Sequence, residues 1–390
     1  MLEAHSAWSI LWTAPLVLLA SLMIAWGAES AQYFMAQGFA LVILAWMQTL
    51  PEFAVEAVLA WHGHSELLIA NLTGAIRLLI GLGWPMIYAT AAFAYRRKYA
   101  KPMREIRLET DNSATIVGVI LCLAYVAVIA WKGSLGLFDS AVLIVIYAAY
   151  LLVLQRLPAE GHEDIAELDR IPRTIVTAKR PIRMFAIGAL FLGGGGLICL
   201  VTDPFVGSMM AISATLGISQ FIFIQWVAPF ISEFPEGVSA FYWARAITEA
   251  PMALMNMVSS NITQWALLSA LLPVVLSIGV GHPAAIVFDP QQKVEFLMTL
   301  GQSLMGMLFL INMQLAWWEA AAIFVLWAVQ FAFSLAGPVA SEVHAWTTIA
   351  YFAWAAVEFV RILIGRRNPA AFRCFRAVWR EHISHRAILE

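Results

Sequence analysis

Two Pro-Glu pairs stand inside apolar runs of this 390-residue chain: Gln48-Thr49-Leu50-Pro51-Glu52 and Ser232-Glu233-Phe234-Pro235-Glu236. A carboxylate in a long apolar stretch is expensive to bury and marks an ion path more often than a packing role. Each pair is followed about twenty residues later by an Asn beside small residues, Asn71 in A-N-L-T-G-A and Asn256 in M-N-M-V-S-S-N. Proline has no N–H and disfavours helix in the residue before it, so the pattern predicts two helices broken beside Pro51 and Pro235. Backbone carbonyls freed there, the Thr49 and Ser232 hydroxyls and the carboxylates of Glu52, Glu233 and Glu236 make two oxygen-rich sets. Oxygen ligands are what hard cations such as Ca²⁺ or Na⁺ require. Glu233 and Glu236 are three apart and share a helical face. Gly74, Ser259 and Ser260 are small enough to let the following spans approach closely.

The elements that must position these groups are membrane helices. The chain is 62% hydrophobic and 12% charged, with mean hydropathy +0.79; a soluble domain carries about 25% charged residues. Apolar spans fall near 8–30, 36–61, 66–94, 114–131, 136–155, 184–212, 218–243, 250–280, 295–313, 316–336 and 344–364. This is an all-α polytopic membrane protein, with no stretch left for a separate soluble domain. Residues 1–30 lack a basic n-region and a small-residue cleavage site, so the first span reads as retained. A net charge of −2 gives no reason to expect nucleic acid, and the three scattered cysteines form no metal or disulfide pattern.

Charge fixes orientation and divides the chain. The joints 95–110 and 155–183 and the tail from Arg361 hold nineteen of the 23 Lys and Arg. Eleven spans put all three segments on one side, the cytoplasm by the positive-inside bias, with the N-terminus outside and the C-terminus inside. The expected organisation is a first five-helix repeat at 1–155, a cytoplasmic joint at 156–183, a second repeat at 184–336, an added span at 337–365 and a basic tail at 366–390. An odd number of spans per half inverts one half relative to the other. In the tail, Phe372, Phe375 and Trp379 lie on one helical face and Arg373, Arg376 and Arg380 beside it. That pattern suits an interfacial helix on an anionic leaflet, with a short solvated tail as its rival.

The pattern resembles the cation/Ca²⁺ exchanger superfamily, the sodium/calcium exchanger-like antiporters, whose two α-repeats read roughly G-T-S-L-P-E followed by G-N-x-x-G-S-N. Here the first repeat reads M-Q-T-L-P-E and A-N-L-T-G-A-I, the second I-S-E-F-P-E and M-N-M-V-S-S-N. The resemblance implies two inverted five-helix repeats and cation binding by Glu52 and Glu236. Thr49, Glu233 and Ser260 then occupy positions of ligating hydroxyls, and Gln264 that of an amide or carboxylate. Departures cluster in the first repeat: Ala75, Ile76 and Leu79 replace oxygen-bearing residues, and Arg77 stands among them. Arg77 is expected to modulate the site as a tethered cation paired with Glu233 or Glu236.

Other polar residues carry weaker expectations. Glu56 either lines the same path as Glu52 or lies near the outer interface. His62, His64 and Glu66 read as a solvated joint, Glu358 as a helix-packing residue, and the acidic run Glu160–Asp169 as a solvated face. The glycines at 193–196 suit close helix packing. The implied function is secondary active transport without enzymatic chemistry or a cofactor. Ca²⁺ is exchanged for Na⁺ or H⁺ by alternating access, with inorganic cations and the bilayer as partners and the oligomeric state open. Proton-coupled transport of another cation, or a non-transporting sensor or scaffold, are the alternatives.

Overall fold

The computed structural model describes residues 6–34, 37–157, 170–334, 336 and 338–384, so the acidic run at 160–169 and the last six residues lie outside the described residues. The first half contains α1 (Ile10–Ala31), α2 (Gln37–Trp61), α3 (Ser65–Leu78) running into α4 (Trp84–Tyr99), α5 (Ser113–Lys132) and α6 (Leu137–Leu154). A short amphipathic α7 (Arg170–Thr177) leads to the second half. That half contains α8 (Arg180–Leu216), α9 (Gln220–Ser232) with α10 (Phe234–Arg245), α11 (Ala250–Ile262) running into α12 (Ser269–Val280), α13 (Pro290–Leu310) and α14 (Trp317–Phe333). The added helix α15 (Pro338–Leu363) and a surface helix α16 (Ala370–Val378) close the chain. Among the described residues, six helices are long and apolar enough by length and composition to cross a membrane, and α9 and α14 are shorter apolar helices.

Two short ribbons reveal the symmetry. Strand β1 (Glu105–Arg107), in the joint before α5, pairs with β4 (Gln314–Ala316), in the joint after α13. Strand β2 (Ser134–Leu135), after α5, pairs with β3 (Ile286–Val287), before α13. Exchanging the halves carries β1 onto β3 and β4 onto β2, so one ribbon becomes the other. The ribbons cap opposite ends of α5 and α13. The two-fold axis relating the halves therefore lies across the helices, in the membrane plane, as an inverted repeat requires. The basic joint 96–107 is on the β1–β4 face, and so is the start of the tail, where the Ala371 N–H donates to the Ile311 carbonyl (2.9 Å). Lys132 is on the β2–β3 face, beside Asp139.

Local chemistry repeats with the symmetry. The helix after β2 begins with the Gly136 N–H bonded to the Asp139 carboxylate (2.7 Å); the helix after β4 begins with the Ala316 N–H bonded to Glu319 (2.8 Å). In both, a carboxylate in the first turn satisfies an orphan donor and complements the helix dipole. Each acid also has a cation, Lys132 on Asp139 and Arg367 on Glu319 (2.6 Å). Arg367 additionally holds Glu358 (2.8 Å) and the Phe309 carbonyl (2.5 Å), so Glu358 ties α15 to α13 and α14. Both third spans widen by one π-type turn, at Leu79–Gly83 and at Thr263–Leu268. Along α1 and α8, Gly194 packs tightly on Ile24 and the Ala20 carbonyl and Gly193 on the end of Met23, whereas Gly195 and Gly196 face open space.

Candidate cation-binding site

The two Pro-Glu helices differ in backbone. α2 continues through Pro51 without interruption, so the expected break in the first repeat is absent. The second repeat breaks at Glu233, which separates α9 from α10 with φ −83° and ψ −7°. Two prolines explain the difference. Pro229 lies inside α9 and cannot donate to the Gln225 carbonyl, and Pro235 opens α10 and cannot donate to the Ile231 carbonyl. With two hydrogen bonds removed within two turns, the helix restarts at Glu233; one proline in α2 removes a single bond, which the surrounding protein tolerates. The freed Gln225 carbonyl packs directly on Gly74, where a Cβ would sit 1.8 Å from it.

Across this break the carboxylates converge. Glu233 shares a donor with Glu52 and lies three residues before Glu236, so the three acids form one cluster. Gln264 clasps the first pair: its amide nitrogen donates to Glu52 (2.9 Å) and to Glu233. The wide turn at 263–268 carries Gln264 to this position, where its backbone carbonyl accepts the Ser269 hydroxyl at 3.0 Å. Glu236 accepts from Asn256 (3.1 Å) and from Ser260 (2.5 Å). Thr49 and Ser232 are buried nearby in sequence, with the Ser232 hydroxyl turned back to the Pro229 carbonyl (3.4 Å). The Gln264 side-chain oxygen has no partner among the described residues. Glu52 is 3% exposed and Glu233 7%, whereas Glu236 and Asn256 are half-buried.

Asn71 donates to Glu56 (3.3 Å), one turn beyond Glu52 along α2. One expectation about the first repeat is corrected. Arg77 pairs with neither Glu233 nor Glu236. Its guanidinium, 0% exposed, bonds Glu295 on α13 at 2.5 Å and lies over the Trp226 ring at 5.3 Å. Glu295 also accepts from Gln225 (3.0 Å) and meets His344 of α15 (2.7 Å). Six residues along a helix rotate a side chain by about 120° in net terms, so Arg77 faces away from the side that Asn71 presents. The sequence placed the ninth span at 295–313, leaving Glu295 at its edge. α13 in fact begins at Pro290, where Asp289 and Gln292 form a reciprocal cap with two 2.8 Å bonds. Glu295 is therefore more than a turn inside, and D-P-Q-Q was the signal that could have found it.

Sequence reasoning also missed a hydroxyl seam between the halves. Tyr150 of α6 contacts Ser259 (3.1 Å) and Thr115 (3.3 Å), and Tyr147 contacts Thr263 (3.3 Å). The bonds to Ser259 and Thr263 fix α11 and the wide turn after it to the first repeat, and the bond to Thr115 holds α6 on α5. Tyrosines in an apolar span give no sign of such a role until the partner helix is known.

The family model for the sodium/calcium exchanger protein matches residues 5–155 and 187–336. The chain belongs to this family. No curated protein matches the sequence. A crystal structure of the H⁺/Ca²⁺ exchanger CAX is similar over 97% of this chain and 92% of that one, with 29% identity and a TM-score of 0.86. YfkE (11% identity, TM-score 0.56, 88% and 91% coverage) and the sodium–calcium exchanger NCX_Mj (19% identity, TM-score 0.52, 83% and 97% coverage) share the fold. The protein is a secondary active cation transporter of exchanger type.

Proposed function

We propose that this exchanger moves Ca²⁺ against H⁺, with Glu52, Glu233 and Glu236 carrying either the metal or the protons. The observation behind this is the clustering of the acids around the Gln264 amide, which donates to both Glu52 and Glu233. Carboxylates crowded into one buried site repel one another, so such a cluster takes up protons when no cation is present. Three acids so placed hold protons in the metal-free state and give them up when a divalent cation draws their oxygens together. Na⁺ would need further neutral oxygens, and the first repeat has Ala75, Ile76 and Leu79 where such ligands would stand. Arg77 is engaged with Glu295 and leaves the acids free for the cation. The similarity to the H⁺/Ca²⁺ exchanger CAX supports the same choice.

Gln264, Asn256 and Ser260 orient the acids and supply neutral oxygens to the metal. The basic β1–β4 face is assigned to the cytoplasm. The test is uptake of radioactive Ca²⁺ into proteoliposomes under an imposed pH gradient without Na⁺. The expected result is Ca²⁺ accumulation that collapses the gradient. Uptake that requires a Na⁺ gradient and ignores pH would replace H⁺ by Na⁺, and no flux under either gradient would remove the transport reading.

A further inference from the structure

We infer that Glu56 and Asn71 form a second, outer subsite through which Ca²⁺ and protons pass between the β2–β3 face and Glu52. The inference rests on the exchanger reading above. Glu56 is 0% exposed and lies one helical turn beyond Glu52, on the same side of α2 and close enough to feel its charge. Its single partner among the described residues is the Asn71 amide at 3.3 Å. Glu56 Oε2 and Asn71 Oδ1 are both buried without a partner. Buried polar oxygens are normally satisfied, and two orphaned together call for a ligand that donates or is positively charged. Two acids one turn apart on α2 and an amide oxygen from α3 suit a partly hydrated divalent cation.

The direction follows from the fold. α2 ends at Trp61, whose backbone packs against Gly279 at the end of α12, where an added Cβ would lie 2.8 Å from the Trp61 carbonyl. That end leads to β3, so Glu56 stands between Glu52 and the β2–β3 face. In the second repeat the matching position, four after Glu236, is the fully buried Ala240, and Asn256 bonds Glu236 itself. The path to the β1–β4 face therefore has no such relay, and the two approaches to one site are chemically unlike.

This asymmetry is testable in oriented proteoliposomes. Glu56→Gln is expected to raise the half-saturating Ca²⁺ concentration at the β2–β3 face by about tenfold, the range seen for supporting groups of metal sites. At the β1–β4 face it should change by less than about twofold. Asn71→Ala should reproduce the one-sided effect. Equal shifts at both faces, or none, would overturn the inference. A transport-independent arm uses Glu56→Cys in a cysteine-free background and a membrane-impermeant thiol reagent. Labelling from the β2–β3 face alone supports the subsite; labelling from the other face, or from neither, contradicts it. If the unaltered protein carries no Ca²⁺, the exchanger reading fails, while the labelling still decides whether Glu56 lines an outer path.

Discussion

The two repeats share a backbone plan and divide the chemistry unequally. At matched positions the second repeat has Glu233, Ser260 and Gln264 where the first has Thr49, Ala75 and Leu79. The second repeat thus supplies two of the three acids, the amide that clasps Glu52 and both donors to Glu236. The first supplies Glu52 and turns its Asn71 to Glu56. The backbone follows the same division, continuous at Pro51 and broken at Pro235. Symmetry here builds the frame, and departures from it set what binds.

The largest expected effect breaks the acid cluster. Glu52→Gln or Glu236→Gln should each reduce Ca²⁺ flux by at least about a hundredfold, above the 10–100-fold typical of groups that only support a ligand. Flux in proteoliposomes measures it. Retention of most activity by either variant would show that one repeat suffices.

Next comes the cation that stands among the altered positions of the first repeat. Arg77→Ala should lower stability by about 3–5 kcal/mol, the cost of stranding a buried carboxylate, read from thermal unfolding in detergent. A double-mutant cycle should give strong coupling of Arg77 to Glu295 and little to Glu233. The reverse would return Arg77 to the acid cluster.

Much of this was legible in the sequence, and the failures have physical causes. The helical membrane fold and its two repeats follow from apolar runs, basic joints and two Pro-Glu pairs. Arg77's partner was missed because a buried charge announces only that it needs a counter-charge; distance decides which one, and Glu295 had been left at a span edge. The break at Pro51 was over-read because one proline costs a helix one hydrogen bond, which a packed protein can absorb. The Asn71–Glu56 contact had no signal in the repeat pattern, because Glu56 has no counterpart in the second repeat, where Ala240 stands.

Smaller effects sharpen the comparison at the contact between halves. Gly74→Ala would press a methyl group onto the Gln225 carbonyl and should cost about 1–3 kcal/mol by overpacking, lowering the unfolding temperature. The smallest concerns the turns after the Pro-Glu helices. Gly63 has φ 75°, and its counterpart Ile247 has φ 56°. A left-handed β-branched residue is strained by about 1–2 kcal/mol, partly offset in glycine by chain entropy. Ile247→Gly should therefore stabilise by up to about 1 kcal/mol, whereas Gly63→Ile should destabilise. A loss of unfolding temperature in Ile247→Gly would mean that packing of the isoleucine outweighs its strain.

The central claim is that protons and Ca²⁺ compete for Glu52, Glu233 and Glu236. Calorimetric titration of the purified protein with Ca²⁺, in buffers of different ionisation enthalpy, counts the protons displaced. The expected result is release of protons on Ca²⁺ binding, reduced in Glu233→Gln, with Na⁺ producing no comparable release. Ca²⁺ binding without proton release, or Na⁺ displacing Ca²⁺ independently of pH, would contradict it.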